Sequence, residues 1–214
     1  MAIRNAAAQS VVTDLVAAMN ANRAYLSEID GAIGDGDHGI NMSKGFTAAG
    51  ERLTASPAPR LSAALGVLGE TLVEGVGGSM GPLYGGLFLA MSDALGDREA
   101  VDAEAFAAML EAGLASIQEV GNAKVGDKTL LDALVPARDA FVAAWKAGKP
   151  LATALDEMTS AAERGRDSTK DMVAKVGRAS RLGERSRGVL DAGATSCALI
   201  LATMAKSLRA LGAG

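Results

Sequence analysis

Cysteine and aromatic rings are scarce in this chain, and each scarcity excludes something. A single cysteine, Cys197, leaves no partner for an intramolecular disulfide and no basis for a cysteine-built zinc site. It precedes the apolar run Ala198-Leu199-Ile200-Leu201, where a free thiol is expected to be buried and inert. Aromatic residues make up only 3%, so the core must be assembled from Ala, Leu, Val and Met, which are small or suit a helix. Basic residues do not exceed acidic ones: the net charge is −4 and the pI near 5.1, which argues against a general nucleic-acid binder. No apolar run has the length a membrane span needs. The opening Met1-Ala2-Ile3-Arg4-Asn5 leads into a polar, amphipathic segment unlike a secretory signal. The expectation is a soluble, cytoplasmic protein with neither nucleic acid nor membrane among its partners.

Strand-like alternation is also missing, while helical periodicity runs through most of the 214 residues. Apolar positions at helical spacing predict helices over 3–28, 41–53, 61–76, then one with Pro82 in its first turn, one capped by Asp102 and ending at Gly121. Three more follow, through Trp145 with a kink expected at Pro136, from Leu151 to about Val176, and from Ala194 to Leu211. The fold class is all-α, an eight-helix antiparallel up-down bundle forming a single domain over 1–214. Glycine-bearing loops fall at alternate junctions, 30–41, 77–81, 121–129 and 188–194, which in an up-down arrangement lie at one end.

The chemistry concentrates in Asp30-Gly31-Ala32-Ile33-Gly34-Asp35-Gly36-Asp37-His38-Gly39-Ile40-Asn41. Three carboxylates this close repel one another unless a hard divalent cation draws them together. Asp-Gly pairs are also ordinary turn formers, so both readings stand at this point. An EF-hand is excluded: with Asp35 and Asp37 as its first ligands, Ile40 takes the obligatory glycine position and Phe46 the bidentate acid position. Magnesium bridging to a phosphate fits Asp30, Asp35 and Asp37 better. His38, the only histidine, is expected to contact a phosphate or orient a carboxylate, the ordinary alternative being a hydrogen-bonded neighbour. Asn41 is expected to cap the second helix and reach the ligand.

Gly77-Gly78-Ser79-Met80-Gly81 precedes a helix start, where backbone N–H groups can cradle phosphate. Gly121 to Thr129 has the flavour of a P-loop but fails it, because Asp127 separates Gly126 from Lys128 and no strand precedes it. Residues 164–187 hold eight basic against three acidic side chains, either a solvated face or a neutraliser of phosphates or of an acidic partner.

Taken in order, Asp30, Gly34-Asp35-Gly36-Asp37-His38-Gly39-Ile40-Asn41-Met42, Gly77-Gly78-Ser79, Gly81-Pro82-Leu83-Tyr84-Gly85, Gly126-Asp127-Lys128-Thr129 with Asp132, and Asp191-Ala192-Gly193-Ala194-Thr195-Ser196 resemble the L subunit of dihydroxyacetone kinase. The resemblance implies an eight-helix antiparallel barrel with ADP or ATP at one rim, its phosphates bound through two Mg²⁺ ions held by Asp30, Asp35 and Asp37. It also implies that His38, Gly39, Asn41, Ser79, Met80, Gly121, Leu130, Arg178, Asp191 and Gly193 surround the nucleotide, and it assigns no side chain a catalytic role. Met80 stands where the family commonly has a small hydroxyl residue, and Ala192 where it commonly has proline. The implied activity is phosphoryl transfer to dihydroxyacetone or a related ketose in glycerol metabolism. The implied partners are a ketose-binding K subunit and, in one variant, a phosphotransferase-system donor protein. The rival is a Mg-nucleotide-dependent regulatory module without turnover; the plainest alternative is a helical scaffold with no ligand.

Overall fold

The computed structural model describes residues 3–213, so Met1 and Ala2 of the polar lead-in, and Gly214, lie outside the described residues. Nine α-helices occur among the described residues: α1 (Ser10–Ala21), α2 (Arg23–Ile33), α3 (His38–Ala55), α4 (Leu61–Gly75), α5 (Met80–Leu95), α6 (Ala103–Val120), α7 (Leu131–Lys146), α8 (Leu151–Ser168) and α9 (Ala192–Gly212). Two short strands, β1 (Ile3–Arg4) and β2 (Ala100–Val101), pair antiparallel with Ile3 opposite Val101. Eight helices close a ring: α1 packs on α3, each later helix packs on its successor, and α9 returns to α1. The ninth, α2, stands apart from the ring and rests on α3 and α9 at one rim. The all-α antiparallel barrel is therefore as expected, with one extra helix.

That extra helix comes from a break in the segment expected to be continuous over 3–28. At Asn22 the backbone leaves the helix (φ −100°, ψ 7°) and its side-chain amide donates back to the Ala18 carbonyl at 2.9 Å. Asparagine competes for nearby backbone groups in this way and so ends helices that apolar spacing alone would continue. The chain then runs on as α2, which carries Asp30 within its last turn rather than in a loop. α3 starts earlier than expected, at His38, so Asn41 lies inside the helix and does not cap it.

α8 stops at Ser168, short of Val176. The Ser168 hydroxyl donates to the Gly165 carbonyl and the Thr169 hydroxyl to that of Arg166, and a 3₁₀ turn at Thr169–Asp171 follows. Asp102 caps α6 as predicted, accepting from the Ala105 N–H at 2.8 Å. Asp191 caps α9 in the same way, accepting from Ala194 at 2.7 Å, and moves its start to Ala192.

The core is built as the composition requires, from small and aliphatic side chains with a few rings at crossings. Phe46 meets Phe88 edge-on at 5.9 Å, and Phe106 lies 5.0 Å from Phe141. Glycines set the closest approach, where α4 crosses α5. A Cβ on Gly69 would lie 2.9 Å from the Gly85 carbonyl, and one on Gly85 2.9 Å from that of Gly69. α9 corrects one expectation, since by length and composition it could cross a bilayer. In this fold its face from Ala194 to Leu208 is buried, and it packs against α1, α7 and α8. Away from the glycine-bearing loops, Asn5 ties several connections together, donating to the Arg98 carbonyl at 2.9 Å and accepting from the Ser62 N–H at 3.2 Å.

Candidate functional site

The four glycine-bearing junctions meet, as alternation predicts, around an open cavity of about 780 Å³. Four helices begin there, α3, α5, α7 and α9, bringing four helix N-termini to the rim. Its apolar lining includes Ile33, Leu83, Ile117 and Leu131. The acidic wall comes from the end of α2 and the short turn before α3.

Asp30, Asp35 and Asp37 each offer a carboxylate oxygen, and these atoms lie within 4.8 Å of one another. Local backbone explains how three like charges come so close. Gly36 takes φ +76°, letting the chain fold back between Asp35 and Asp37. Gly34 leaves room for the Asp30 carboxylate: a Cβ there would lie 2.4 Å from its Oδ1. The other Asp30 oxygen accepts the His38 N–H at 3.3 Å. Arg178, from the strap between α8 and α9, forms an ion pair with Asp35 across the mouth. An all-oxygen set, partly exposed and with neither cysteine nor histidine in it, fits a hard cation such as Mg²⁺.

Of the residues expected around a nucleotide, His38, Asn41, Ser79, Met80, Gly121, Leu130, Arg178, Asp191 and Gly193 all line the cavity. Gly39 does not. A Cβ on it would lie 2.0 Å from the Arg23 carbonyl and 2.7 Å from the Ser27 hydroxyl, so this glycine serves the tight contact of α3 with α2. Met80 is half-buried against the core at the start of α5, and Ala192 is buried at the start of α9. Burial pushes the Asp191 carboxyl up to about 7; its bond from Ala194 opposes this, the Asp132 and Asp30 charges add to it, and Lys128 opposes it. Burial also lowers His38 to about 4 against the pull of Asp30, so the imidazole is neutral at pH 7. Cys197 is buried as expected, its thiol pushed up to about 12 by burial and by Asp191.

Several residues for which sequence patterns indicate no role shape the site. Lys128 adopts φ +64° and turns inward, where its ammonium donates to the carbonyls of Ser186 (2.6 Å), Val189 (2.6 Å) and Met172 (3.2 Å). It thus anchors both ends of the strap that carries Arg178. Asp132 organises the preceding loop, accepting from Gly126 and Thr129 at 2.5 and 2.7 Å. Of the basic run, Arg178 reaches the cavity, while Lys175 pairs with Asp127, Arg166 with Asp167 and Arg187 with Glu184. Tyr84 and Ser196 form a buried pair behind His38. A buried tyrosine or serine hydroxyl needs a partner, but nothing in the sequence named which one.

A carboxylate trio facing an open cavity, with helix N-termini alongside, has the chemistry that a hard cation and an anionic ligand would need. Comparison with known proteins narrows that reading. Residues 32–206 match the family model described as the DAK2 domain. The chain is 41% identical over 186 residues to the ADP-binding subunit DhaL of PEP-dependent dihydroxyacetone kinase 1 from Listeria innocua, covering 86% of each chain. It is 37% identical over 181 residues to the corresponding Escherichia coli subunit, covering 85% of this chain and 86% of that one. Among solved structures, it matches the dihydroxyacetone kinase of C. freundii in complex with AMP-PNP and Mg²⁺ with a TM-score of 0.70 and 26% identity. That match covers 97% of this chain but only 35% of the longer kinase. The chain belongs to the DAK2-domain family, the family of the L subunit of dihydroxyacetone kinase.

Proposed function

We propose that this chain is the nucleotide-binding half of a two-component kinase, carrying ADP or ATP with two Mg²⁺ ions and acting on dihydroxyacetone or a related ketose held by a separate K subunit. The observation that carries the reading is the gathering of Asp30, Asp35 and Asp37 oxygens within 4.8 Å at the edge of a cavity where α3, α5, α7 and α9 begin. The relatives add support. The L. innocua and E. coli proteins are named ADP-binding subunits, and the C. freundii kinase was solved with a nucleotide analogue and Mg²⁺.

In this reading the aspartates hold the metal, which neutralises charge on the transferring phosphoryl group when bound. The N–H groups at the starts of α3, α5 and α9 receive phosphate oxygens. Arg178 releases Asp35 and turns to the anion, the strap anchored by Lys128 keeping it at the mouth. His38, Asn41, Ser79, Met80, Gly121, Leu130, Asp191 and Gly193 shape the remainder of the nucleotide cavity; Gly39 acts through packing. The chain's work is positioning and neutralisation in the cytoplasm.

The test is single-turnover transfer: the chain loaded with Mg-ATP and mixed with a K subunit and dihydroxyacetone yields the phosphorylated ketose. No transfer despite nucleotide binding favours the regulatory module. Many turnovers with excess ATP favour fresh ATP each cycle; a single one restored only by a phosphotransferase-system donor favours retained ADP. A Mg²⁺-dependent rise in melting temperature with ADP is expected, and Asp35→Asn abolishes it. An unchanged wild-type melting curve leaves the ligand-free scaffold.

A further inference from the structure

Behind the cavity wall, side chains from three helices form one buried chain of hydrogen bonds. His38 opens α3, Ser196 belongs to α9 and Tyr84 to α5. The His38 Nε2 lies 2.9 Å from the Ser196 hydroxyl oxygen, which lies 2.6 Å from that of Tyr84. Tyr84 in turn donates to the Gly193 carbonyl at 3.0 Å. Ser196 is 0% and Tyr84 1% exposed, so bulk water does not compete for these groups.

A count of protons fixes the direction. The Gly193 carbonyl is the one member with no hydrogen to give. When Nε2–H donates to Ser196, Ser196 to Tyr84 and Tyr84 to Gly193, each of the three contacts holds a hydrogen. In the reverse direction Tyr84 donates to Ser196 and Ser196 to Nε2, and the contact to Gly193 is empty. The first direction makes one hydrogen bond more than the reverse, worth about 0.5–1.5 kcal/mol, and so it wins. The Ser196 hydroxyl also lies 3.1 Å from the Gly193 carbonyl, an alternative acceptor that leaves the direction unchanged. A neutral imidazole protonated on Nε2 has its lone pair on Nδ1. Nδ1 has no partner among the described residues and is not among the sealed, unpartnered atoms, and the ring lines the cavity.

We infer that Ser196 and Tyr84 are positioning residues that hold His38 as the Nε2–H tautomer, so that Nδ1 faces the acidic cavity as an acceptor for a cation-bound water or a ligand hydroxyl. This deepens the nucleotide-site reading and rests on it for the identity of the donor. It also revises the expectation that His38 touches phosphate, because a lone pair repels a phosphate oxygen.

His38 is the only histidine, so its ¹⁵N resonances are unambiguous. In the ligand-free protein at pH 7, Nδ1 is expected to show the unprotonated and Nε2 the protonated signature. Ser196→Ala should move both toward the average of the two tautomers, and Ser196→Thr, which retains the hydroxyl, should restore the wild-type pattern. Adding Mg²⁺ and ADP should shift Nδ1. A protonated Nδ1 in the wild type overturns the inference, as does a wild-type pattern in Ser196→Ala. So does an Nδ1 signal unmoved by Mg²⁺ and ADP that do raise the melting temperature. If Ser196→Ala fails to fold, the wild-type tautomer alone decides. If Mg²⁺ and ADP leave the melting temperature unchanged, the nucleotide reading fails, while the ligand-free tautomer still confirms or overturns the relay.

Discussion

The Lys128 ammonium lies 2.6 Å from the Ser186 carbonyl, joining a loop that looks like a phosphate binder to the strap on the far side of the cavity. The lysine of that loop is a buried anchor, its three hydrogens taken by three carbonyls. Lys128→Met keeps most of the length and removes the donors. The expected loss is about 2–4 kcal/mol, from carbonyls left without partners. Hydrogen exchange should rise across 172–189 while α4 and α5 remain protected.

Arg178 and Asp35 form an ion pair with both side chains largely exposed. Such pairs contribute about 0.2–1 kcal/mol, so Arg178→Ala should tighten binding of Mg²⁺ alone by up to about fivefold, because Asp35 no longer exchanges one cation for another. Calorimetric titration with and without ADP separates this from weaker nucleotide binding, which the same variant should show.

Glycines separate into those that set helix contacts and those that do not. Gly69→Ala puts a methyl 2.7 Å from a Leu89 carbon and 2.9 Å from two backbone atoms of α5. It should destabilise by about 1–3 kcal/mol through overpacking. A Cβ on Gly77 meets nothing within 4 Å, and its φ is not in the left-handed region. Gly77→Ala should leave chemical denaturation unchanged within about 0.5 kcal/mol.

Asp191, raised to about 7, makes a pH prediction. A carboxyl whose folded pKa exceeds its ordinary value favours folding while protonated. Its contribution is complete below about pH 4 and is lost as pH rises through 7. An asparagine side chain caps a helix as well as aspartate does and does not titrate. Asp191→Asn should therefore gain stability relative to the ligand-free wild type between pH 4 and 8, by at most about 4 kcal/mol. His38, lowered to about 4, acts in the opposite sense: its contribution is present above about 6.5 and lost as pH falls. The difference between variant and wild type cancels it. A flat difference across that range would contradict the raised carboxyl.

Much of this was legible in the chain because the signals are local or periodic. Apolar spacing gave the helices, and alternation of glycine-bearing junctions gave the rim. Three aspartates between glycines marked the carboxylate trio at the rim through their mutual repulsion. What stayed hidden depends on partners distant in sequence. Tyr84 and Ser196 are 112 residues apart, and neither carries a local sign that it meets the other. Lys128 turns inward only because three carbonyls from a later strap surround it. The break at Asn22 was masked by apolar periodicity that continues on both sides of a residue able to cap its own helix. Gly39 sits within a ligand-like motif, yet its lack of a side chain answers to α2.

The ring of alternating helices has an electrical consequence. At the mouth, the starts of α3, α5, α7 and α9 are interleaved with the ends of α4, α6 and α8, so the macrodipoles cancel beyond a few ångströms. With an overall charge of −4, the molecule has no long-range pull on a polyanion. Attraction is felt only in contact with individual N–H groups, and a triphosphate approaches that acidic edge most readily with its charge already masked by divalent counterions.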